Sequence, residues 1–151
     1  MSTPEFEVKQ VDASVLYELR RRVLRGDDPN KAVADPRDEE ETSLHFAGFL
    51  DGRLVVSASF FPSTAPSCAH LFTYQLRYMA TDFDIQGKGY GALVLAGAEE
   101  ALRAQGVGQV WANARDTALG FYRATGWTVL DGTEHISPET NLPHTVIVKQ
   151  L

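Results

Sequence analysis

Residues 86–91 read Gln86-Gly87-Lys88-Gly89-Tyr90-Gly91. An extended run with aromatics at Phe72, Tyr74 and Tyr78, His70–Thr81, leads into them. An apolar-periodic run, Ala92–Gln105, leads away from them and is closed by Gly106. This order predicts a strand, a glycine-rich turn and a helix. A helix N-terminus has backbone N–H groups without intrahelical partners and a partial positive charge. Glycines lack the Cβ atoms that would keep a ligand's oxygens away from those groups. Such a turn suits a pyrophosphate. A tight turn that binds nothing uses the same glycines, so the surrounding sequence has to decide.

Spacing argues against two phosphate motifs. A P-loop needs Ser or Thr after Gly-Lys to hold magnesium, and here Gly89 follows Lys88. A dinucleotide fingerprint needs G-x-G-x-x-G near the start of a strand–helix–strand unit, and an acid about 20 residues on. This chain has G-x-G-x-G after a meander and no acid at that distance.

Working outward, Leu44–Leu50 and Leu54–Phe61 flank Asp51-Gly52, a strong hairpin signal. Phe6–Gln10 alternates as a short strand. Asp12 is placed to cap a helix in which Val15, Leu16, Leu19, Val23 and Leu24 form the apolar face and Gly26 the end. Downstream, Val107–Ala114 reads as a strand. Asp116 is placed to cap a short helix, Thr117–Thr125, closed by Gly126. Trp127–Leu130 and Thr145–Leu151 read as strands around the loop Asp131–Pro143. The meander implies antiparallel pairing, and the strand–helix–strand unit implies one parallel pair. The expected fold class is α/β, a mixed sheet with helices on its faces.

The chain has 151 residues and a net charge of −6, from 14 basic and 20 acidic side chains. The length fits a single domain spanning residues 1–151. No apolar run reaches the roughly 20 residues of a membrane helix, and the first ten residues lack a signal-peptide pattern. A cytoplasmic protein is the expectation, with no membrane partner. Nucleic acid is excluded as a partner because phosphate neutralisation needs clustered Lys and Arg. The one basic cluster, Arg20–Arg22, reads as a solvated helix face. The single cysteine, Cys68, rules out an intrachain disulfide and a paired-cysteine zinc site. No metal is expected. Seven acids fall in Asp27–Glu41 against one Lys and one Arg, which reads as a mobile or loosely helical surface segment.

Two motifs carry a resemblance. Gln86-x-x-Gly89-x-Gly91 is similar to the (R/Q)-x-x-G-x-(G/A) signature of the GCN5-related N-acetyltransferase (GNAT) family, and Arg77–Thr81 before it looks like that family's fourth strand. Trp111–Trp127, WANARDTALGFYRATGW, resembles the second signature: a strand with Asn, a helix with Ala and Phe-Tyr, then Gly and an aromatic residue. The order of elements agrees over nearly the whole chain.

The resemblance implies a largely antiparallel sheet whose one parallel pair splays around the cofactor, with helices on both faces. It implies acetyl-CoA as co-substrate and a primary amine of a small molecule or peptide as acceptor, attacking directly in a ternary complex. Its cofactor-binding positions fall here on Met79, Ala80, Thr81, Gln86, Gly87, Lys88, Gly89, Tyr90, Gly91, Asn113 and Tyr122. Tyr122 is the expected catalytic acid for the leaving thiolate, although helix-face aromatics also serve simply as core. His45, His135, His144, Glu41 and Tyr74 stay open as bases. The chain departs from the family at Asp82-Phe83-Asp84-Ile85, where Pro is common. It also has Gln86 in place of the commoner Arg, and Tyr90 where Ile or Leu is usual. The acidic stretch matches a substrate-side segment by position; as a wall it would favour a cationic acceptor, and otherwise it is solvated surface. A sheet of this size leaves room for a homodimer through an edge strand. Two other classes compete: a non-catalytic acyl-CoA-binding regulatory module, and a dinucleotide-binding domain.

Overall fold

Asp51 and Gly52 take positive φ, 49° and 83°, as a two-residue hairpin turn requires. They join β2 (Leu44–Leu50) to β3 (Arg53–Pro62), whose register runs from Leu50↔Arg53 to Leu44↔Phe60 with a bulge at Gly48/Phe49. The computed structural model describes residues 3–66 and 72–151, so Cys68, His70 and Leu71 lie outside it. The other strands are β1 (Phe6–Val11), β4 (Thr73–Thr81), β5 (Gln109–Arg115), β6 (Thr128–Val129), β7 (His135–Ile136) and β8 (Pro143–Gln150). Among the described residues they form one mixed sheet, ordered β1-β2-β3-β4-β5-β8-β6, with β7 on β8. β4 and β5 run parallel through Thr73, Tyr74 and Gln75 opposite Gln109, Val110 and Trp111. The registers of β1 with β2, β2 with β3, and β5, β6 and β7 with β8 are antiparallel. The sheet is the largely antiparallel one, with a single parallel pair, that the sequence predicts.

The chain divides into two compact units. The first comprises Met1–Phe61 and Leu76–Leu102. It holds most of the helix α2 (Tyr90–Ala104), which starts two residues earlier than predicted. Val94, Leu95, Ala98 and Leu102 recur at three-to-four spacing on its buried face. Gly97 allows close approach, since a Cβ there would meet Val8 Cγ1 at 3.0 Å. A mid-helix glycine costs about 1 kcal/mol against alanine. Burying one Val or Leu contributes about 1.5–3 kcal/mol, so the contact outweighs the glycine.

The N-terminal helix is less regular than its apolar spacing predicts. Ala13–Leu16 is a 3-10 turn, α1 (Tyr17–Leu19) is a single turn, and Arg20–Leu24 is a π turn. Asp12 stands at the N-cap position, but its side chain makes no capping bond. Val15 is 44% exposed, and the fully buried side chains are Leu16, Leu19 and Arg20. The expectation that Arg20–Arg22 is a solvated face is therefore overturned. Arg20 is buried because Asp38, Ser59 and the Val33 carbonyl meet its charge.

The second unit comprises Pro62–Gln75 and Arg103–Leu151. Seven β5 residues pair with β8, from Gln109↔Gln150 to Arg115↔His144. Ala65, Trp111, Val146 and Val148 cluster there with Leu130 against them. The strand expected over Trp127–Leu130 contracts to β6, and β7 forms inside the expected loop Asp131–Pro143. Asp116 does not cap the short helix. It opens a 3-10 turn, Asp116–Ala118, and accepts a hydrogen bond from Thr145 Oγ1 at 2.7 Å. α3 (Leu119–Ala124) follows.

Candidate active site

The glycine-rich turn grows out of the end of β4. The Asp82 N–H donates to the Val55 carbonyl at 2.7 Å, and its carboxylate accepts from the Phe83 N–H at 2.9 Å, starting a 3-10 turn over Phe83–Ile85. Gln86 returns to extended backbone, and its Nε2 donates to the Thr81 carbonyl at 2.9 Å. Gly87 and Gly89 then take φ of 78° and 90°, which side-chain-bearing residues avoid. Nothing lies within 4 Å of where a Cβ would stand on either. Gln86 to Gly89 are all exposed. The Leu93 N–H donates to the Gly89 carbonyl at 3.3 Å as α2 begins, so the N–H groups ahead of Leu93 are those of a helix start.

Tyr90 and Gly91 belong to the helix rather than to an open turn. The Tyr90 ring stacks on Phe6 with centroids 4.5 Å apart, which explains an aromatic where an aliphatic residue is usual. Gly91 is buried. Asp82 and Asp84 do not confront a phosphate as free charges. Arg22 binds Asp82 through both guanidinium nitrogens, at 3.0 and 2.9 Å. Arg53 bridges Asp82 at 3.1 Å and Asp84 at 2.9 Å. The Arg22 hydrogen bond holds the Asp82 carboxyl below its usual range. With those charges answered, Lys88 stands exposed in the turn.

Upstream on β4, Ala80 is buried while Met79 and Thr81 are half-buried. Tyr78 has φ of 56°, a strained value for a bulky residue in a strand. Several contacts hold it there. Ser57 Oγ donates to its carbonyl at 3.2 Å, and its own hydroxyl donates to Asp35 at 2.8 Å. The Arg20 guanidinium lies 4.3 Å from its ring centroid.

The other two expected residues stand on separate elements of the second unit. Asn113 is exposed on β5, opposite Val146. Tyr122 on α3 is 7% exposed, with Phe121 and Trp127 rings at 5.1 and 5.5 Å. Burial alone pushes its hydroxyl pKa up, so the phenol keeps its proton at neutral pH. The packing reading of Tyr122 thus holds, and a hydroxyl able to donate comes with it.

The structure thins the list of bases. His45 is buried, and its Nε2 meets the Asp38 carbonyl at 3.0 Å. A carbonyl only accepts, so Nε2 carries the hydrogen and Nδ1 accepts from Ser59 Oγ at 2.7 Å. Burial lowers its pKa further, so both nitrogens are committed in a neutral ring. Burial raises the Tyr74 hydroxyl pKa, which removes it as a base at neutral pH. His135 and His144 face each other across β7 and β8, with Nδ1 bound to the carbonyls of Thr133 and Leu142. Glu41 is exposed.

What sequence reading missed is the polar cluster behind Tyr78. Asp35 and Asp38 belong to the stretch read as a loose acidic surface, yet they are 7% and 5% exposed. Asp38 receives Arg20 at 2.9 and 3.3 Å and the Tyr17 hydroxyl at 3.1 Å. The one local signal was Asp35-Pro36-Arg37-Asp38, a turn that folds its own cation onto its own acid: Arg37 Nε reaches Asp35 at 3.0 Å.

No described helix is long and apolar enough to cross a membrane. Comparison with known proteins gives the family and the fold. The profile described as Acetyltransferase (GNAT) family matches residues 13–127. The uncharacterized N-acetyltransferase YitI of Bacillus subtilis (strain 168) is 36% identical over 124 residues, which is 82% of this chain and 83% of that one. The crystal structure of Escherichia coli ElaA is similar at a TM-score of 0.73 and 17% identity, covering 97% of this chain and 99% of that one. An aminoglycoside 6'-N-acetyltransferase complexed with coenzyme A is similar at a TM-score of 0.72 and 12% identity, covering 95% and 96%. At these identities the two solved structures speak to the fold.

Proposed function

The chain belongs to the GNAT acetyltransferase family, and from that premise we propose that residues 1–151 work as one domain moving an acetyl group from acetyl-CoA to a primary amine. The observation that carries this reading is the exposed turn at the start of α2. Gly87 and Gly89 are held at positive φ with open space above them, and the neighbouring acids are answered by Arg22 and Arg53. Backbone N–H groups from Gly87 to Gly91, aided by Lys88, hold the donor's pyrophosphate. The exposed amide of Gln86 stays fixed to Thr81, so the turn keeps its shape before the ligand arrives. Met79, Ala80 and Thr81 offer strand backbone to the pantetheine arm, and Asn113 contributes to holding it.

The reaction forms one bond and breaks one. The neutral amine nitrogen attacks the thioester carbonyl carbon, the C–S bond breaks, and the products are an amide and the CoA thiol. A free alkylamine has a pKa of about 10.4, so it must shed a proton first. With His45 and Tyr74 removed as bases, that proton passes to solvent water, with His135, His144 and Glu41 the candidate side chains still open. Backbone N–H groups of β4 face the charge that develops on the carbonyl oxygen. The Tyr122 hydroxyl, kept protonated by burial, donates to the departing sulfur; the nitrogen releases its extra proton to solvent as the amide forms, and the tyrosinate takes one back from solvent.

Calorimetric titration with acetyl-CoA, with NADH as control, tests the reading. Micromolar binding of acetyl-CoA and none of NADH is expected, followed by thiol release in an amine screen. NADH binding in its place supports a dinucleotide site and overturns the proposal. Acetyl-CoA binding with no turnover of any amine leaves the regulatory module as the better reading.

A further inference from the structure

Successive side chains of β8 point to opposite faces of the sheet. One face belongs to the segment around α3. Thr145 Oγ1 donates to Asp116 and Lys149 Nζ donates to the Thr125 carbonyl, each at 2.7 Å. The other face carries rows that run across the strands. Val148 stands opposite Trp111, Val146 opposite Asn113, and His144 opposite both Arg115 on β5 and His135 on β7. Trp111, Val146 and Val148 close one end of this face by packing with Ala65. The other end opens, with Asn113 exposed and Arg115 and His135 half-buried. His144 lies under that opening, 7% exposed.

The ring of His144 is fixed in one tautomer. Its Nδ1 lies 2.9 Å from the Leu142 carbonyl. A carbonyl only accepts, so Nδ1 carries the hydrogen of the neutral ring and Nε2 keeps a lone pair. His135 repeats the arrangement, with Nδ1 2.8 Å from the Thr133 carbonyl. The two rings lie 6.1 Å apart at 35°. Among the described residues no hydrogen-bond donor meets the His144 Nε2, yet it is not one of the buried side-chain atoms left without a partner. Its lone pair therefore reaches accessible space. The charged or titratable groups in register with it are Arg115 and His135. Asp116 is bound by Thr145, whose side chain is on the other face, and Glu134 and Glu139 are exposed.

Resting on the acetyltransferase reading, we infer that His144 is the general base, and that the amine approaches from the face of β5 that carries Asn113 and Arg115. Asn113, assigned to the donor's arm, is the diagonal neighbour of His144 across β5 and β8, a spacing within reach of long side chains. The His144 Nε2 takes a proton from the ammonium, and the neutral nitrogen attacks the thioester carbon. His144 then gives that proton to solvent, where the accounting already sends it. A neighbouring cation disfavours an ammonium, so Arg115 works in the same direction. Acid and base then come from different faces of the sheet, with α3 and Tyr122 behind the sulfur and His144 behind the nitrogen.

The test is the pH profile of kcat/KM for a primary alkylamine, from about pH 6 to pH 10. A base that deprotonates the ammonium lets the wild-type profile level off before the amine's own pKa of about 10.4. Without a base the profile climbs with the fraction of free amine up to that value. His144→Asn keeps an amide that can donate to the Leu142 carbonyl and has nothing to accept the proton. It is expected to lose about 100-fold at pH 7, a typical worth for a general base. The deficit closes toward pH 10 as free amine accumulates, while calorimetry shows acetyl-CoA bound as in the wild type. A loss of equal size at every pH gives His144 a purely structural role and overturns the inference. A profile reshaped by His135→Asn and not by His144→Asn overturns it too. Where His144→Asn fails to fold, the wild-type profile decides, since a climb that continues to the amine's pKa leaves no base to assign. Turnover with that climbing profile removes the base and keeps the acetyltransferase reading, whereas no turnover of any amine removes both.

Discussion

Tyr122 is where packing and chemistry are hardest to separate. Its ring fills space between Phe121 and Trp127, and its hydroxyl is kept protonated by burial alone. Removing the hydroxyl keeps the ring and so divides the two roles. Tyr122→Phe is expected to lower kcat about 100-fold, a typical worth for a general acid, with the affinity for acetyl-CoA little changed. Stopped-flow thiol release and calorimetry measure the two separately. An unchanged kcat removes Tyr122 from the mechanism and leaves it a core residue. The Asp82 carboxylate illustrates the reverse case. The sequence shows an acid next to an anion site, while the structure shows a cap and ion-pair acceptor fixed by Arg22 and Arg53.

Among elements, the bulge of β2 comes close to β1 and α2. A Cβ on Gly48 would lie 2.5 Å from Phe6 Cζ and 2.8 Å from Val94 Cγ2. Gly120 on α3 has nothing within 4 Å of the same atom. Gly48→Ala is therefore expected to destabilise by about 1–3 kcal/mol through overpacking. Gly120→Ala is expected to stabilise by about 0.4–1 kcal/mol through helix propensity and the unfolded chain. Urea midpoints compare them, and equal shifts for both refute the packing argument. These contrasts mark what a sequence conveys. The hairpin at Asp51-Gly52 and the turn before α2 are legible because short-range backbone chemistry dictates them. The N-terminal helix is not, because Arg20 takes a core-facing place that Val33, Asp38 and Ser59, farther along the chain, make tolerable. β7 is invisible for the same reason, since its two residues become a strand only by pairing with β8. The turn half of the candidate site is thus readable, and the polar cluster behind Tyr78, which joins Arg20 to Asp38 and Tyr78 to Asp35 across the chain, is not.

For the whole molecule, a net charge of −6 conceals how its acids are used. Burial pushes Asp35 and Asp38 up, but hydrogen bonds from Arg37 and Tyr78, and from Arg20 and the Asp35 N–H, outweigh it and hold both below the usual range. Asp82 is held low mainly by Arg22. For His45, burial depresses the pKa as well. All four groups act in one direction, because each binds its proton more readily in the unfolded chain. The His45 contribution is full above the unfolded histidine value, about 6.5, and fades as pH falls below it. The carboxylate contributions are full above about pH 4 and fade as acid protonates them. Thermal melts from pH 8 to pH 3 are therefore expected to show a Tm that first slips below about pH 6.5 and then falls more steeply below about pH 4. His45→Gln can still donate to the Asp38 carbonyl and accept from Ser59, yet has nothing to titrate. In that variant the first decline vanishes and the second remains. A first decline that persists there shows that His45 is not its source, and a Tm that rises toward acid contradicts the buried ion pairs altogether.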